Sequence, residues 1–167
     1  MTTLYTTMES PLGTLLLSGT DDGTGTAVLT AVTAPQQKYA VDAPLPDWRP
    51  APGAFTVATE QLTAYFAGEL TAFSLPLAPV GTDFRQRVWQ ALEEIPYGST
   101  ATYGQLAAAA GESPRAVRAV GGAVGANPLL VVRPCHRVIG ANGSLTGFAA
   151  GVDRKRWLLG LESGGLF

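Results

Sequence analysis

Apolar and polar residues alternate over the first third of the chain and recur at helical spacing over much of the remainder. Leu4-Tyr5-Thr6-Thr7-Met8 and Thr14-Leu15-Leu16-Leu17-Ser18 read as strands joined through Pro11-Leu12-Gly13. The Asp21-Asp22-Gly23 turn leads into a third strand, Ala27-Val28-Leu29-Thr30-Ala31-Val32, which predicts a small antiparallel sheet. Pro44, Pro46, Pro50 and Pro52 mark a connector, after which a helix is expected from about Phe55 to Phe66, closed by Gly68. The composition shifts around Pro76–Gly81, so the boundary is drawn after residue 78, giving a sheet-and-helix domain at 1–78 and a second domain at 79–167.

In the second domain Thr82 or Asp83 can cap a helix whose apolar positions are Phe84, Val88, Ala91, Leu92 and Ile95, stopped by Pro96-Tyr97-Gly98. A shorter helix runs from Thr102 to Ala110 and ends at Gly111. Ser113-Pro114 starts another, with serine as cap and proline in the first helical position, and Asn127-Pro128 ends it. Two helices around a glycine turn predict a helix-turn-helix. On the second of them Val117, Val120 and Val124 share one face, while Arg115, Arg118, Gly122 and Gly125 share the opposite one. The valine face is core. The other face fits two readings equally: a solvated face packing through its glycines, or a surface where an anionic object approaches the backbone closely. It carries no asparagine or glutamine at its middle to read bases, so a DNA partner would be gripped irrespective of sequence.

Charge is divided along the chain. Residues 1–80 hold Lys38 and Arg49 against seven acids. Residues 98–160 hold Arg115, Arg118, Arg133, Arg137, Arg154, Lys155 and Arg156 against Glu112 and Asp153. The overall charge of −2 conceals a basic second half suited to a polyanion. No stretch is long and apolar enough for a membrane span, and the start lacks the pattern of a signal peptide, so a cytoplasmic address is expected. The chain has one cysteine and one histidine, which rules out an internal disulfide and a Cys/His zinc site. Cys135 is therefore a buried inert thiol or a reactive one.

Cys135 lies in Arg133-Pro134-Cys135-His136-Arg137-Val138-Ile139-Gly140, after an apolar run, Leu129-Leu130-Val131-Val132, that reads as a short buried strand. The only histidine stands next to it and arginines stand on both sides, surroundings that lower a thiol pKa from about 8.5 and favour a reactive thiolate. A hydrolase needs a histidine placed to shuttle protons twice. Neighbouring side chains in extended backbone point apart, so His136 fits a water-bridged base for a single-use nucleophile better.

Pro134-Cys135-His136-Arg137-Val138 resembles the active-site signature of the O6-alkylguanine-DNA alkyltransferases. The resemblance takes in Asp83-Phe84-Arg85-Gln86-Arg87-Val88-Trp89, Ile95-Pro96-Tyr97-Gly98, Tyr103-Gly104-Gln105-Leu106-Ala107 and Arg118-Ala119-Val120-Gly121-Gly122-Ala123. It continues through Gly125-Ala126-Asn127-Pro128, Asn142-Gly143-Ser144-Leu145-Thr146-Gly147 and Trp157-Leu158-Leu159-Gly160-Leu161-Glu162. It implies an α/β (α+β) fold: a small N-terminal ribonuclease H-like α/β domain, then a mainly helical C-terminal domain with a winged-helix-like helix-turn-helix. The implied activity is irreversible, stoichiometric transfer of the O6-alkyl group of guanine, and of O4-alkyl groups of thymine, to Cys135 after base flipping. No cofactor, metal, membrane or obligate protein partner is implied. The partner is double-stranded DNA containing O6-alkylguanine, met by a monomer.

By the same resemblance, His136 would take the thiol proton through a water, Glu162 would hold the imidazole, Asn127 would act as a hinge, and Tyr103 would donate to guanine N3. Arg118 would fill the space left by the flipped base. Gly104, Ser113, Arg85 and Arg115 would meet DNA, and Ala141 would lie at the pocket rim. Phe148, Ala149 and Ala150 form the substrate loop. Three positions depart from the family pattern. Arg133 stands where an aliphatic residue is usual, open to phosphate contact, to a local positive potential, or to solvent. Phe148 replaces a tyrosine. Ala150 replaces a glycine, so benzyl groups are expected to transfer more slowly than methyl.

Overall fold

The three N-terminal strands pair in chain order: β1 Thr3–Ser10, β2 Gly13–Asp21 and β3 Ala27–Thr33. They are antiparallel, and a short β4, Arg49–Pro50, adds in parallel to β1, giving the sheet order β3-β2-β1-β4. The computed structural model describes residues 2–145 and 147–165; Thr146 of the Asn142–Gly147 motif lies outside the described residues. Ser10 faces Gly13 across the first turn, with its hydroxyl donating to the Gly13 carbonyl at 2.7 Å and accepting from the Leu12 N–H at 3.0 Å. Leu15 through Gly19 of β2, which pairs with β1 on one side and β3 on the other, are all buried rather than alternating. The β2–β3 register shifts between Ser18 and Gly19, where a Cβ on Gly19 would stand 2.2 Å from the Val28 carbonyl oxygen. A turn of 3-10 helix, Pro52–Phe55, leads into α1, Thr56–Phe66, which buries Ala58, Leu62 and Tyr65. Together with Leu4, Leu15, Leu17, Leu29 and Phe55 these form the core of the first unit.

The chain divides into two units: one runs up to Val80 and takes in Pro128–Val132, and the other holds Gly81–Asn127 and the chain from Arg133 onward. A contiguous second domain was expected; the detour of residues 128–132 into the first unit is not visible in sequence. Nor is this segment the expected strand. The Val32 N–H donates to the Pro128 carbonyl and the Leu130 N–H to the Val32 carbonyl, after which the chain turns. Val131 has φ 70° and the Val132 N–H reaches the Leu130 carbonyl at 2.8 Å, a γ-turn of the rarer, positive-φ form. A β-branched residue there stores about 1–3 kcal/mol of strain.

In the second unit α2, Asp83–Glu93, is capped by the Thr82 hydroxyl, which accepts from the Arg85 N–H. Its Val88, Ala91 and Leu92 are buried, as the helical spacing predicts; Phe84 is only half-buried, and Trp89, which the spacing does not single out, is buried as well. Helix α3, Tyr103–Ala109, opens with a reciprocal cap between Thr102 and Gln105. Gly111, at φ 77°, turns the chain toward Pro114–Ala116, a 3-10 turn that enters α4, Val117–Gly125. Ser113 occupies the expected capping position, but its side chain makes no cap bond. The pair α3–α4 is the helix-turn-helix. A two-residue parallel pairing of β5, Ala101–Thr102, with β6, Val138–Ile139, and a final α5, Val152–Glu162, complete the unit. No helix among the described residues is long and apolar enough to cross a membrane.

Candidate active site

Cys135 is brought to its place by backbone geometry that Pro134 imposes. Pro134 has φ −80° and ψ 60°, and the Cys135 N–H bonds the Arg133 carbonyl at 2.8 Å, an inverse γ-turn for which the proline ring presets φ. Cys135–Arg137 then forms one 3-10 turn, so His136 does not continue an extended strand. Asn127, buried after α4, donates from Nδ2 to the same Arg133 carbonyl at 3.2 Å. One carbonyl thus gathers the residue after the helix-turn-helix and the cysteine.

His136 is fully buried, with Nε2 2.7 Å from Glu162 Oε2. Glu162 is also held by Arg137, whose Nε donates to Oε1 at 2.7 Å and Nη2 to Oε2 at 3.0 Å. Nη1 of Arg137 donates to the Ile95 carbonyl at 2.6 Å. Because Arg137 already balances Glu162, the imidazole need not be cationic, and burial pushes its pKa below the ordinary value. A neutral ring donating Nε2–H to Glu162 leaves Nδ1 as its basic atom, and Nδ1 is buried without a protein partner.

The expected lowering of the thiol pKa is not what the structure gives. Cys135 is 5% exposed, and burial pushes its pKa up, against smaller opposing effects from an Asn127 hydrogen bond and the charges of Lys155 and Arg133. The neighbouring arginines fail to reverse this because Arg137 is committed to Glu162 and Ile95. The resting residue is a thiol, so a base has work to perform. Lys155, 1% exposed on α5 with Nζ 5.7 Å from the Phe148 ring centroid, is a charge near the sulfur that sequence reasoning counted only as part of a basic surface. Its burial between apolar neighbours at helical spacing was the available signal. Three of the seven cations in residues 98–160 (Arg133, Arg137 and Lys155) are buried and do not face a polyanion.

Tyr103, at the start of α3, is half-buried, and burial raises its pKa, so the hydroxyl stays a donor. Cys135, His136, Glu162, Asn127 and Tyr103 therefore form one cluster. Phe148 joins it through Lys155; Ala150 is buried and its carbonyl accepts from Arg154 Nη1 at 3.0 Å, while Ala149 is half-buried. Arg118 and Arg115 are exposed on and before α4, and Gly104, Ser113, Arg85 and Ala141 are exposed elsewhere on the second unit. Around Gly122 and Gly125 an added Cβ would meet nothing within 4 Å, so α4 presents bare backbone.

Fold and site define a thiol nucleophile with a carboxylate-oriented imidazole, housed in a helix-turn-helix unit. Residues 83–164 match the 6-O-methylguanine DNA methyltransferase DNA-binding domain, and residues 3–79 match the ribonuclease-like domain of the same proteins. The methylated-DNA–protein-cysteine methyltransferase of Mycobacterium tuberculosis is 51% identical over 158 residues, covering 95% of this chain and 91% of that protein. That of Methanosarcina acetivorans is 49% identical over 158 residues, covering 95% and 97%. The crystal structure of Mycobacterium tuberculosis OGT in complex with DNA superposes with TM-score 0.86 at 51% identity, covering 96% of this chain and 93% of that one. The chain belongs to the O6-alkylguanine-DNA alkyltransferase family, which repairs DNA by direct reversal, moving the alkyl group onto a protein cysteine.

Proposed function

We propose that Cys135 is the acceptor and that His136, Glu162, Asn127 and Tyr103 serve it as follows. The thiol proton passes through a water to His136 Nδ1, and Glu162 stabilises the imidazolium that results. The sulfur attacks the alkyl carbon, a C–S bond forms as the bond to O6 breaks, and the electron pair leaves with guanine. Tyr103 donates to N3 and makes guanine a better leaving group. The observation that carries this reading is the buried His136–Glu162 pair, whose Nδ1 has no protein partner, in the residue next to a thiol whose pKa is raised.

The duplex buries O6 in the base stack, so the nucleotide must be extruded at a cost of a few kcal/mol. Exposed Arg118 on α4 fits the role of filling the gap. The open glycines of α4 suit close backbone approach in the minor groove, with Arg115, Arg85, Gly104 and Ser113 as further DNA contacts and Ala141 at the pocket rim. Phe148, Ala149 and Ala150 line the alkyl group, and the buried Ala150 methyl favours small groups over benzyl. O4-alkylthymine is a secondary substrate, and the protein acts as a monomer in the cytoplasm.

A thioether has no easy hydrolytic exit, so each molecule acts once. With duplex carrying O6-methylguanine in large excess, repaired guanine is expected to plateau at one per protein chain. Continued repair past that plateau would refute single use.

A further inference from the structure

Arg133 is buried, with its guanidinium held between Glu93 and Trp89. Its residue is 4% exposed. Nε and Nη2 donate to Glu93 Oε1 at 3.3 and 3.0 Å, and the guanidinium lies 5.2 Å from the Trp89 ring centroid. Trp89 is itself pinned, since its Nε1–H donates to the Ala123 carbonyl in α4 at 2.9 Å. Phosphate contact and free exposure to solvent, two of the readings open from sequence, do not suit a side chain enclosed in this way.

The ion pair is lopsided. The Arg133 side chain is 5% exposed, whereas that of Glu93 is 42% exposed. Water screens the carboxylate far more than the guanidinium, so the pair leaves a net positive field on its buried side. Nη1 is buried with no hydrogen-bond partner, which leaves that part of the cation uncompensated. The Arg133 carbonyl meanwhile accepts from Asn127 and from the Cys135 N–H, which ties the Arg133 backbone to the turn that carries the sulfur, while Glu93 and Trp89 hold the guanidinium.

Taking Cys135 as the acceptor, we propose that Arg133 is a positioning residue for the transfer, a fixed buried cation that favours the ionised form of the Cys135 sulfur and that Glu93 partly offsets. The other groups acting on the sulfur are Lys155 from α5, Tyr103 from α3, the Asn127 amide after α4, and the His136–Glu162–Arg137 cluster. Burial opposes ionisation of the sulfur, whereas Lys155 and Arg133 both favour it. Arg133 has a carboxylate partner, Glu93, whose removal is expected to move the ionisation of the sulfur in the opposite direction from removal of the guanidinium.

That sign gives the test. The chain's single cysteine allows thiolate absorbance to be followed against pH in the full protein, with Cys135→Ser as the blank. In R133M the ionisation midpoint is expected to rise by about one pH unit, roughly tenfold less thiolate at any pH below it. In E93Q it is expected to fall, and in R133K to stay within a few tenths of a unit of the unmodified protein. The single-turnover rate of methyl transfer from duplex carrying one O6-methylguanine should follow the same order. Midpoints that stay fixed, or that move the same way in R133M and E93Q, would make Arg133 a mere brace and overturn the proposal. If R133M does not fold, E93Q and R133K still decide it. Absence of methyl gain in the unmodified protein would instead refute Cys135 as acceptor, while the thiolate titration would still read out Arg133.

Discussion

Glu162→Ala is expected to destabilise the second unit by about 3–5 kcal/mol and to leave no measurable transfer. The side chain is 1% exposed and receives two bonds from Arg137 besides that from His136. Removing it leaves a guanidinium without its counter-charge and an imidazole N–H without its acceptor in a low-dielectric interior. The same carboxylate links α5 to the turn that carries Cys135 and, through Arg137, to the Ile95 carbonyl past α2. Glu162→Gln keeps the volume and one acceptor and should therefore lose less. Urea unfolding of the three proteins measures the effect. A loss below about 1 kcal/mol in the alanine variant would mean that solvent or another group replaces the carboxylate.

The second large effect concerns His136. With the thiol held in its protonated form by burial, removing the base should slow single-turnover transfer by about 10²–10⁴-fold in His136→Ala, with lesion binding retained. The same residue sets a pH dependence of stability. Its folded pKa is lowered, so below about pH 6.5 the unfolded chain takes a proton that the folded chain refuses. Stability is therefore full above that range and is lost as pH falls through it. Unfolding free energies measured between pH 5 and 8 should show this decline in the unmodified protein and a shallower one in His136→Ala. Equal slopes would place the imidazole in solvent rather than in the core.

Much of the architecture was legible because it rests on local signals. The Thr82 cap and the spacing of Val88, Ala91 and Leu92 define α2 without tertiary information, and the stop at Gly111 does the same for the end of α3. Leu129–Val132 departs from the strand its apolar run predicts because such a run reports burial and not backbone direction; the turn at Val131 requires a φ that no β-branched residue signals. Within the site, Cys135 and His136 stood out through their singularity and adjacency. The roles of their arginine neighbours did not. Arg137 finds Glu162 25 residues downstream, so the field on the thiol that its proximity in sequence suggests is redirected by the fold, and Arg133 finds Glu93 40 residues upstream, which offsets its field only in part. Burial of the thiol, which outweighs those charges, is a tertiary property. The resemblance to the alkyltransferases supplied what periodicity could not, the ribonuclease-like first domain and the grouping of Tyr103 with Cys135.

The central claim is that one alkyl group ends on Cys135, and intact mass tests it most directly. After incubation with duplex carrying a single O6-methylguanine, the chain is expected to gain one methylene, about 14 Da, and Cys135→Ser is expected to gain nothing while still binding the lesion. A gain that persists in Cys135→Ser, or no gain in the unmodified protein despite tight lesion binding, would contradict the account.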